Sequence, residues 1–402
     1  MRLGRTRLAT VALSLALVGN ALAAAPAGAQ DAEPEEERGA WLRIGDLDLS
    51  RADHTATLLP DGTILVVGGT SALGRPVLTA ELVYPESGAT RPAGTLPWGL
   101  AGHQAALLPD GRVVLGGSDT YAGGEPVADQ DVCARYPALV WDHATVDFSP
   151  IHGVPDSNGA SVTVLGDGRV LFAGGESACI WDQALVGLDA ARVWDPTTGE
   201  VTQTGALVTP RAFGPSALLD DGRALVAGGL RLLSLPAGAA VQRSGSLEAW
   251  DPATGEWTSF GRAGLGIDTL VVLDDGLVAA IGEFDNGYGM RLFDPASGTL
   301  RPLDTSQAKP LQEAAVSELD GQLAFVGGLN RFGRPVAQTL VWDSATGDRE
   351  RLVYPVSAAD AGHTATALAD GTIVVIGGRD VHDDGRVLNT VEAIRAEDRA
   401  GT

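Results

Sequence analysis

After residue 29 the sequence lacks long hydrophobic runs, linker tracts and common catalytic motifs, and each absence excludes a class of protein. No stretch approaches the roughly 20 apolar residues that a membrane helix needs. No Gly/Pro/Ser-rich tract long enough to be a linker interrupts the middle of the chain. A Gly-x-Ser-x-Gly elbow, a His-Glu-x-x-His helix and a phosphate-binding loop are also missing. We therefore expect no membrane span and none of these three chemistries.

Basic residues are scarce, which bears on the partners of the protein. The chain has 28 lysines and arginines against 51 acidic residues, a net charge of −23. Residues 1–29 hold three arginines and no acids, so their removal changes the charge to −26 (−23 − 3). A field of this sign repels phosphates, and it excludes nucleic acid as a partner.

The N-terminus has the features of a secretory signal peptide. Three arginines, Arg2, Arg5 and Arg7, precede a mostly apolar run from Leu8 to Ala25. Small-x-small cleavage sequences end at Ala23 and Ala29, and the use of either one stays open. The sequence predicts a signal peptide over residues 1–29, an acidic disordered spacer over 30–40 and a disordered tail over 396–402. Export to the periplasm or the cell exterior follows from it.

The chain has only two cysteines, Cys133 and Cys179. An exported protein with two cysteines favours a disulfide between them. Two free thiols are the alternative, because the bridge needs a geometry that the sequence does not give.

The sequence is rich in glycine, with 53 residues, and many of them mark an internal repeat. Each copy reads as an apolar run, an Asp-Gly turn, a second apolar run and a Gly-Gly pair. The first copy runs from His54 to Gly68-Gly69, and the last runs from His363 to Gly377-Gly378. Copies between them end at Gly116-Gly117, Gly174-Gly175, Gly228-Gly229, Ile281-Gly282 and Gly327-Gly328. The seven second glycines lie 46 to 58 residues apart.

This period predicts one four-stranded blade per copy. Asp-Gly between two apolar runs is typical of a β-hairpin. A third strand ends in an aromatic residue and a turn, as at Trp250-Asp251-Pro252, and a fourth strand completes the blade. A step near 50 residues is typical of kelch blades, and longer than WD repeats. The fold class predicted is therefore all-β, a seven-bladed propeller over residues 41–395.

The two ends of the chain predict how the ring closes. After Gly378 the last copy has room for one more strand, about Val387 to Ile394. A lone strand, Trp41 to Leu47, precedes the first copy. We expect this strand to be the outer strand of the last blade, because closure removes exposed sheet edges.

These repeats resemble the kelch family, and more narrowly the kelch propeller of the galactose oxidase group, over residues 41–395. That enzyme group binds copper through tyrosines and histidines. The matching places here read Asp53-His54, Gly102-His103 and Gly362-His363, without a tyrosine before the histidine. The chain also has five tyrosines in all, and we expect no counterpart of the C-terminal domain that donates a ligand in that group. Copper-radical oxidation is not expected, and no metal and no cofactor is predicted.

The three histidines, His54, His103 and His363, occupy the same position of three repeats. We expect them to be structural, each bonding to loop backbone at the start of an inner strand. The alternative is a shared metal site, since blades one, two and seven are consecutive in a closed ring.

The candidate binding residues come from the loops that enter strand one and leave strand two, which open on one face of a propeller. We call the end of the central channel on that face the mouth. Convergent polar and aromatic groups at such a mouth are typical of a ligand site. The predicted residues are Arg51, His54, His103, Asp119, Tyr121, Asp156, Arg211, Asp285, Tyr288, Arg331, His363 and Arg379.

Two functions stay open. The favoured one is a binding or scaffold module that recognises a protein or a glycan through the mouth, without catalytic residues. The other is an enzyme acting on a sugar or a small carbonyl compound, with His103 and either Asp156 or Asp119 as the acid/base pair. The oligomeric state does not follow from the sequence.

Overall fold

The structure is a computed structural model, and the part of the chain that it describes consists almost entirely of β-strands and turns. The described residues are 41–117, 137–154, 158–179, 184–235, 238–302, 311–319, 321–330, 332–336, 338–343, 349–352, 361–380 and 384–395. None of them belongs to a helix long and apolar enough to cross a membrane.

Seven four-stranded antiparallel sheets form the blades of a closed propeller, as predicted. The chain begins with β1 (Leu42–Asp46). Blade one is β2 (Thr55–Leu58), β3 (Ile64–Val67), β4 (Thr79–Tyr84) and β5 (Ala89–Thr95); blade two is β6 (Gln104–Leu107), β7 (Val113–Gly116), β8 (Leu139–Asp142) and β9 (Asp147–Pro150). Blade three is β10 (Ala160–Val164), β11 (Val170–Gly174), β14 (Ala191–Trp194) and β15 (Val201–Gln203); blade four is β16 (Ser216–Leu218), β17 (Ala224–Ala227), β20 (Ser246–Trp250) and β21 (Trp257–Arg262).

The remaining three blades repeat the same strand order. Blade five is β22 (Gly266–Val272), β23 (Val278–Phe284), β24 (Gly287–Asp294) and β25 (Thr299–Pro302); blade six is β26 (Ala315–Leu319), β27 (Gln322–Val326), β28 (Thr339–Asp343) and β29 (Arg349–Leu352). Blade seven is β30 (Thr364–Ala367), β31 (Ile373–Ile376), β34 (Thr390–Ile394) and the first strand β1.

Three short hairpins leave the blades on the mouth side, after the second strand. They are β12 (Glu176–Cys179) with β13 (Ala184–Gly187), β18 (Leu230–Leu235) with β19 (Gly238–Arg243), and β32 (Arg379–Asp380) with β33 (Arg386–Val387).

The Asp-Gly turns are stabilised by hydrogen bonds to the aspartate carboxylate and by a glycine with a positive φ. In blade one the Asp61 carboxylate accepts hydrogen bonds from the Thr63 backbone N–H and hydroxyl at 3.0 and 2.6 Å. Gly62 takes a positive φ of 82°, a conformation that costs a glycine little. The turn returns the chain into β3, whose four residues are all buried.

The core is divided among the interfaces between neighbouring blades. In the described residues, seven apolar clusters occur, and each joins two adjacent sheets. Between blades one and two, for example, Leu65 and Leu82 pack with Leu115 and Trp141. The seventh cluster joins blade seven to blade one, so burial is continuous around the ring.

The ring closes through the strand that precedes the first repeat, which confirms the prediction. β1 pairs antiparallel with β34, with Leu42 opposite Ala393 and Asp46 opposite Thr390. Blade seven therefore takes three strands from the end of the chain and its outer strand from the beginning.

Gly88 lets blade one approach this closing strand. A Cβ added to Gly88 would lie 1.6 Å from the Ile44 carbonyl oxygen, and the residue has a φ of 67°. Gly88→Ala should therefore lower the free energy of unfolding by more than the roughly 1–2 kcal/mol of left-handed strain alone. Gly62→Ala is the matched control, because Gly62 has a similar φ of 82° and no atom within 4 Å of the added carbon. Urea unfolding of both variants measures the difference, and equal losses would contradict the close approach.

Candidate functional site

Arg51 and Arg211 lie inside the blades, which does not fit the ligand-facing role predicted for them. Each side chain is fully buried at 0 % exposure. Arg51 forms an ion pair with Glu81 and donates a hydrogen bond to the Thr79 carbonyl oxygen at 2.8 Å. Arg211 forms the same ion pair with Glu248 in blade four. We call these two arrangements the arginine clamps.

Each clamp ties the loop that enters a blade to the third strand of that blade. Glu248 accepts hydrogen bonds from the Val208 and Thr209 backbone N–H groups at 2.6 and 3.0 Å. Arg211 donates to the carbonyl oxygens of Gly228 and Ser246 at 3.2 and 3.1 Å. Burial lowers the pKa of the Arg211 guanidinium, and the charge of Glu248 opposes that shift. The clamps are structural parts of the propeller.

The three histidines join neighbouring blades through Nε2. The His54 ring is 3.1 Å from the Thr364 hydroxyl of blade seven, and His103 is 2.8 Å from the Thr55 hydroxyl of blade one. His363 donates to the Val326 carbonyl oxygen of blade six at 3.0 Å. Backbone bonding was predicted for all three, and two of them bond to side-chain hydroxyls instead.

Burial keeps these imidazoles neutral. The side chains of His54, His103 and His363 are 5 %, 6 % and 7 % exposed. Burial lowers the pKa of His103 to about 3 and that of His363 to about 4, and it places the pKa of His54 well below its usual value. Each neutral ring is enclosed between two blades and links them through its hydrogen bond. It does not face the mouth.

Backbone hydrogen bonds join neighbouring blades at the mouth, just before several of the inner strands. Gly102 N–H donates to the Asp53 carbonyl oxygen at 2.9 Å, and Asp53 N–H donates to that of Gly362 at 2.8 Å. Phe213 N–H donates to the Gly159 carbonyl oxygen at 2.6 Å. These residues share a left-handed backbone, with φ between 57° and 65°. With Glu313, whose φ is 59°, they are named the ring residues: Asp53, Gly102, Gly159, Phe213, Glu313 and Gly362.

Arg379, a predicted site residue, does reach the mouth. It forms an ion pair with the ring residue Asp53 and donates to the Thr70 hydroxyl at 2.9 Å. The Thr70 hydroxyl in turn donates to Asp53 at 3.0 Å. About a third of each charged side chain is exposed, 34 % for Arg379 and 33 % for Asp53. Gly362 makes room for the pair, since a Cβ there would lie 2.8 Å from the Asp53 carboxylate.

A second charged group lies at blades four and five. Arg243, at the end of the β19 strand, forms an ion pair with Asp268, and both side chains are more than a third exposed. A β-bulge beside Ile267 sets the direction of Asp268, a common way to re-aim a side chain. Burial and the negative charge of Asp268 raise the pKa of Tyr288, another predicted site residue.

Charged groups of both ion pairs act on the ring residue Glu313, whose side chain is exposed. Restricted solvation raises the pKa of its carboxyl, and the charges of Asp53 and Asp268 raise it further, while Arg379 opposes them. The charges of three carboxylates and two arginines therefore act on one another across one side of the mouth.

The structure thus brings together only some of the predicted site residues. Arg379 and Tyr288 belong to the charged side of the mouth, and Asp285 is exposed in the turn before β24. Asp119, Tyr121, Cys133, Asp156 and Arg331 lie outside the described residues, as does the side chain of Cys179.

Sequence reasoning missed the ring residues and the Arg243–Asp268 pair. The signal for the first was available, because Asp53, Gly102 and Gly362 each precede a repeated histidine. An L-residue in a position where other copies hold glycine is unusual and indicates a selected side chain. No comparable sequence signal identifies Asp268, because the direction of its side chain depends on a β-bulge.

Comparison with solved structures supports the fold. A fungal alcohol oxidase of the AA5 family, in complex with copper, aligns with a TM-score of 0.63 and 17% identity over 89% of this chain and 76% of that chain. The AA5 enzymes are the galactose oxidase family, so the chain has a galactose oxidase-like propeller. At this identity the likeness shows the fold alone. No family model and no curated protein matches the chain.

The described residues do not fit the copper of that oxidase. Within the described ranges, no three His, Cys, Asp or Glu side chains converge so that they could hold a metal ion. The Nε2 atoms of the repeated histidines are already hydrogen-bonded between blades. Their Nδ1 atoms are buried and have no hydrogen-bond partner among the described residues.

Proposed function

We propose that the protein is an exported binding module that recognises a glycan or a protein through the mouth of the propeller. The observation that carries this proposal is the set of half-exposed, mutually paired charges at the mouth, contributed by separate blades. Asp53 and Arg379 come from blades one and seven, and Asp268 comes from blade five. A concave end lined with a few fixed polar groups is the usual form of a ligand site.

The opposite face of the propeller offers fewer groups that could recognise a ligand. It consists of the short Asp-Gly turns, where Asp110 and Asp167 pair with the arginine two residues later in the same turn. Each of these ion pairs lies within one turn, and Arg112 also donates to the Pro196 carbonyl oxygen of blade three at 3.1 Å. The mouth is therefore the face that supports recognition.

Catalysis by a histidine–carboxylate pair has less support. His103 is 6 % exposed, and its Nε2 atom is bonded to Thr55. An acid/base residue must reach the substrate with a pKa near the working pH. The lowered pKa of about 3 and the burial of His103 oppose that role.

Arg379→Ala tests the proposal. We expect wild-type protein to bind on a glycan array or to capture a partner identified by mass spectrometry. Arg379→Ala should weaken that binding by about tenfold or more, because it removes a charge-assisted donor. Arg169→Ala is the matched control, since Arg169 is 39% exposed and also pairs with an aspartate, on the opposite face.

Two outcomes would overturn the proposal. One is a ligand whose binding is reduced by Arg169→Ala and not by Arg379→Ala. The other is turnover of a sugar or a carbonyl compound without any ligand on the array or in the captured material.

A further inference from the structure

Two loops on the mouth side of the propeller share one sequence motif. They follow the Gly-Gly pairs of blades one and six and read Leu73-Gly74-Arg75-Pro76-Val77 and Phe332-Gly333-Arg334-Pro335-Val336. The sequences of the other five blades do not repeat this motif. We call Leu73 and Phe332, each with the arginine two residues after it, the twin tips.

The backbone hydrogen bonds of the two loops correspond to one another. Gly74 N–H donates to the Ser71 carbonyl oxygen at 2.9 Å, and Gly333 N–H donates to that of Asn330 at 2.8 Å. In return, the N–H groups of these two acceptor residues donate to the carbonyl oxygens of the tip arginines, both at 2.8 Å. The two glycines take φ of 67° and 68°, as short hairpin turns with a left-handed residue require. Each tip therefore has a fixed shape, and little conformational freedom is lost when it binds a partner.

The twin tips display the two most exposed large apolar side chains in the described part of the chain. Leu73 is 81% exposed and Phe332 is 71% exposed. The side chains of Arg75 and Arg334 are exposed beside them. The turn depends on its glycine and its hydrogen bonds, so the fold does not require an apolar side chain at either tip. Exposed apolar groups of this kind indicate an interaction surface.

The loops that follow the second strands of the blades differ in charge. Those of blades one, four and six, residues 68–78, 228–245 and 327–338, contain five arginines and no acidic residue. The corresponding loops of the other four blades each contain at least one acid. No two of the loops without acids belong to neighbouring blades. The rim of the mouth therefore presents apolar and positive groups at separate points, on a chain that is strongly acidic overall.

We propose that the twin tips dock the propeller on a phospholipid surface, with Leu73 and Phe332 in the outer part of the acyl layer and Arg75 and Arg334 at the lipid phosphates. This inference goes beyond the binding function proposed above, and it does not depend on the ligand of the mouth. Apolar and aromatic side chains below a layer of basic groups are typical of protein segments at membrane interfaces. A guanidinium suits this layer because it can donate two parallel hydrogen bonds to one phosphate.

A flat lipid surface fits two separate tips better than a protein partner does. Both loops begin at the same position of their repeats, and the blades repeat around the channel axis, so both tips are expected at the same height. Blade seven lies between them in the ring, and its loop contains Asp380, Asp383 and Asp384. The centre of a protein interface is a continuous apolar patch with few charges, which this acidic loop interrupts. A bilayer accepts apolar side chains at separate points, because its interior is apolar throughout.

Vesicles of phosphatidylcholine test the inference. This lipid carries a phosphate but no net charge, so it does not repel the acidic chain. Residues 30–402 are used, since the apolar run within residues 1–29 would bind lipid by itself. We expect the protein to sediment with the vesicles, and Leu73→Ser and Phe332→Ser should each weaken this binding by about tenfold. The double variant should weaken it by about a hundredfold, because the effects of distant sites add in free energy.

Matched variants separate docking from folding. Val146→Ser is the control, because Val146 is a 38% exposed apolar residue in a turn of the opposite face, and it should leave vesicle binding unchanged. Arg75→Gln and Arg334→Gln should each weaken binding by about threefold, since each removes one charged contact with a phosphate. All of these variants should unfold in urea like the wild type, because the substituted side chains are exposed.

A tryptophan at the tip reports on its depth in the bilayer. The emission of Leu73→Trp should shift to shorter wavelength when vesicles are added, and lipids brominated in the acyl chain should quench it. The wild-type protein gives the baseline for the tryptophans of the propeller itself. Emission that does not change on vesicles that sediment the protein would contradict insertion of the tip.

Two further results would overturn the inference. One is a wild-type protein that does not sediment with the vesicles, and the other is sedimentation that neither Leu73→Ser nor Phe332→Ser lowers. If the wild type captures a protein that the double variant loses, and vesicles do not bind, the tips serve a protein partner and the lipid inference is wrong. The function proposed above is tested separately through Arg379, and the double variant should keep the affinity for the ligand found by the array or the capture.

Discussion

Arg211→Ala is expected to lower the free energy of unfolding by about 3–5 kcal/mol, the usual effect of removing one partner from a buried ion pair. Both side chains of the pair, Arg211 and Glu248, are fully buried at 0 %. The substitution leaves the Glu248 carboxylate charged and enclosed, without its main counter-ion. It also frees the Gly228 and Ser246 carbonyl oxygens that Arg211 bonds.

A surface ion pair in an Asp-Gly turn serves as the control. Arg169 pairs with Asp167 in the turn of blade three, with 39% and 51% of the two side chains exposed. Arg169→Ala should lower the free energy of unfolding by about 1 kcal/mol or less, because solvent screens such pairs. Urea unfolding followed by tryptophan fluorescence measures both variants. Losses of equal size would show that the arginine clamp contributes no more than a surface contact.

Acidification from about pH 7 to about pH 5 is expected to lower the free energy of unfolding by about 2 kcal/mol for each buried histidine, about 6 kcal/mol for all three. The folded-state pKa of His103 is about 3 and that of His363 about 4, and the pKa of His54 is also lowered. The unfolded chain binds protons near pH 6.5. The stabilisation is therefore complete above that pH, and it is lost as the pH falls from 6.5 toward the folded-state values.

Denaturant unfolding at several pH values tests this dependence. His103→Gln, which keeps a polar end near Thr55 but does not titrate, should remove about one third of the loss between pH 7 and pH 5. His143→Ala should leave the profile unchanged, since the His143 side chain is 51% exposed. A stability that stays constant over this range would contradict the burial of the three rings.

Most of the fold could be predicted from the sequence because each blade repeats the same local signals. The Asp-Gly turns and Gly-Gly pairs predict the positions of two strands per copy. The turns at Trp250 and Phe293 predict the end of the third strand. The closing role of β1 followed from a count of strands. Local turn chemistry and a fixed period are enough for these conclusions.

The candidate site was harder to predict because burial and pairing are properties of the folded chain. Arg51 and Arg379 look alike in the sequence, since both lie in loops near the mouth. Their different roles depend on Glu81, thirty residues away in blade one, and on Asp53, more than three hundred residues away. The loops that carry Asp119, Tyr121 and Asp156 lie outside the described residues, and their part in the site stays a prediction.

The pairing of β1 with β34 has a consequence for how the protein folds. The two strands are adjacent in space but lie at opposite ends of the propeller sequence, with Asp46 opposite Thr390. Contacts of such wide sequence separation form late, since the loop entropy must be lost before the contact is gained. Until the last strand emerges, both β1 and β31 present open edges that can pair with other chains. The polypeptide therefore stays vulnerable to aggregation until β34 has paired with both strands, and this pairing joins the two ends of the propeller sequence.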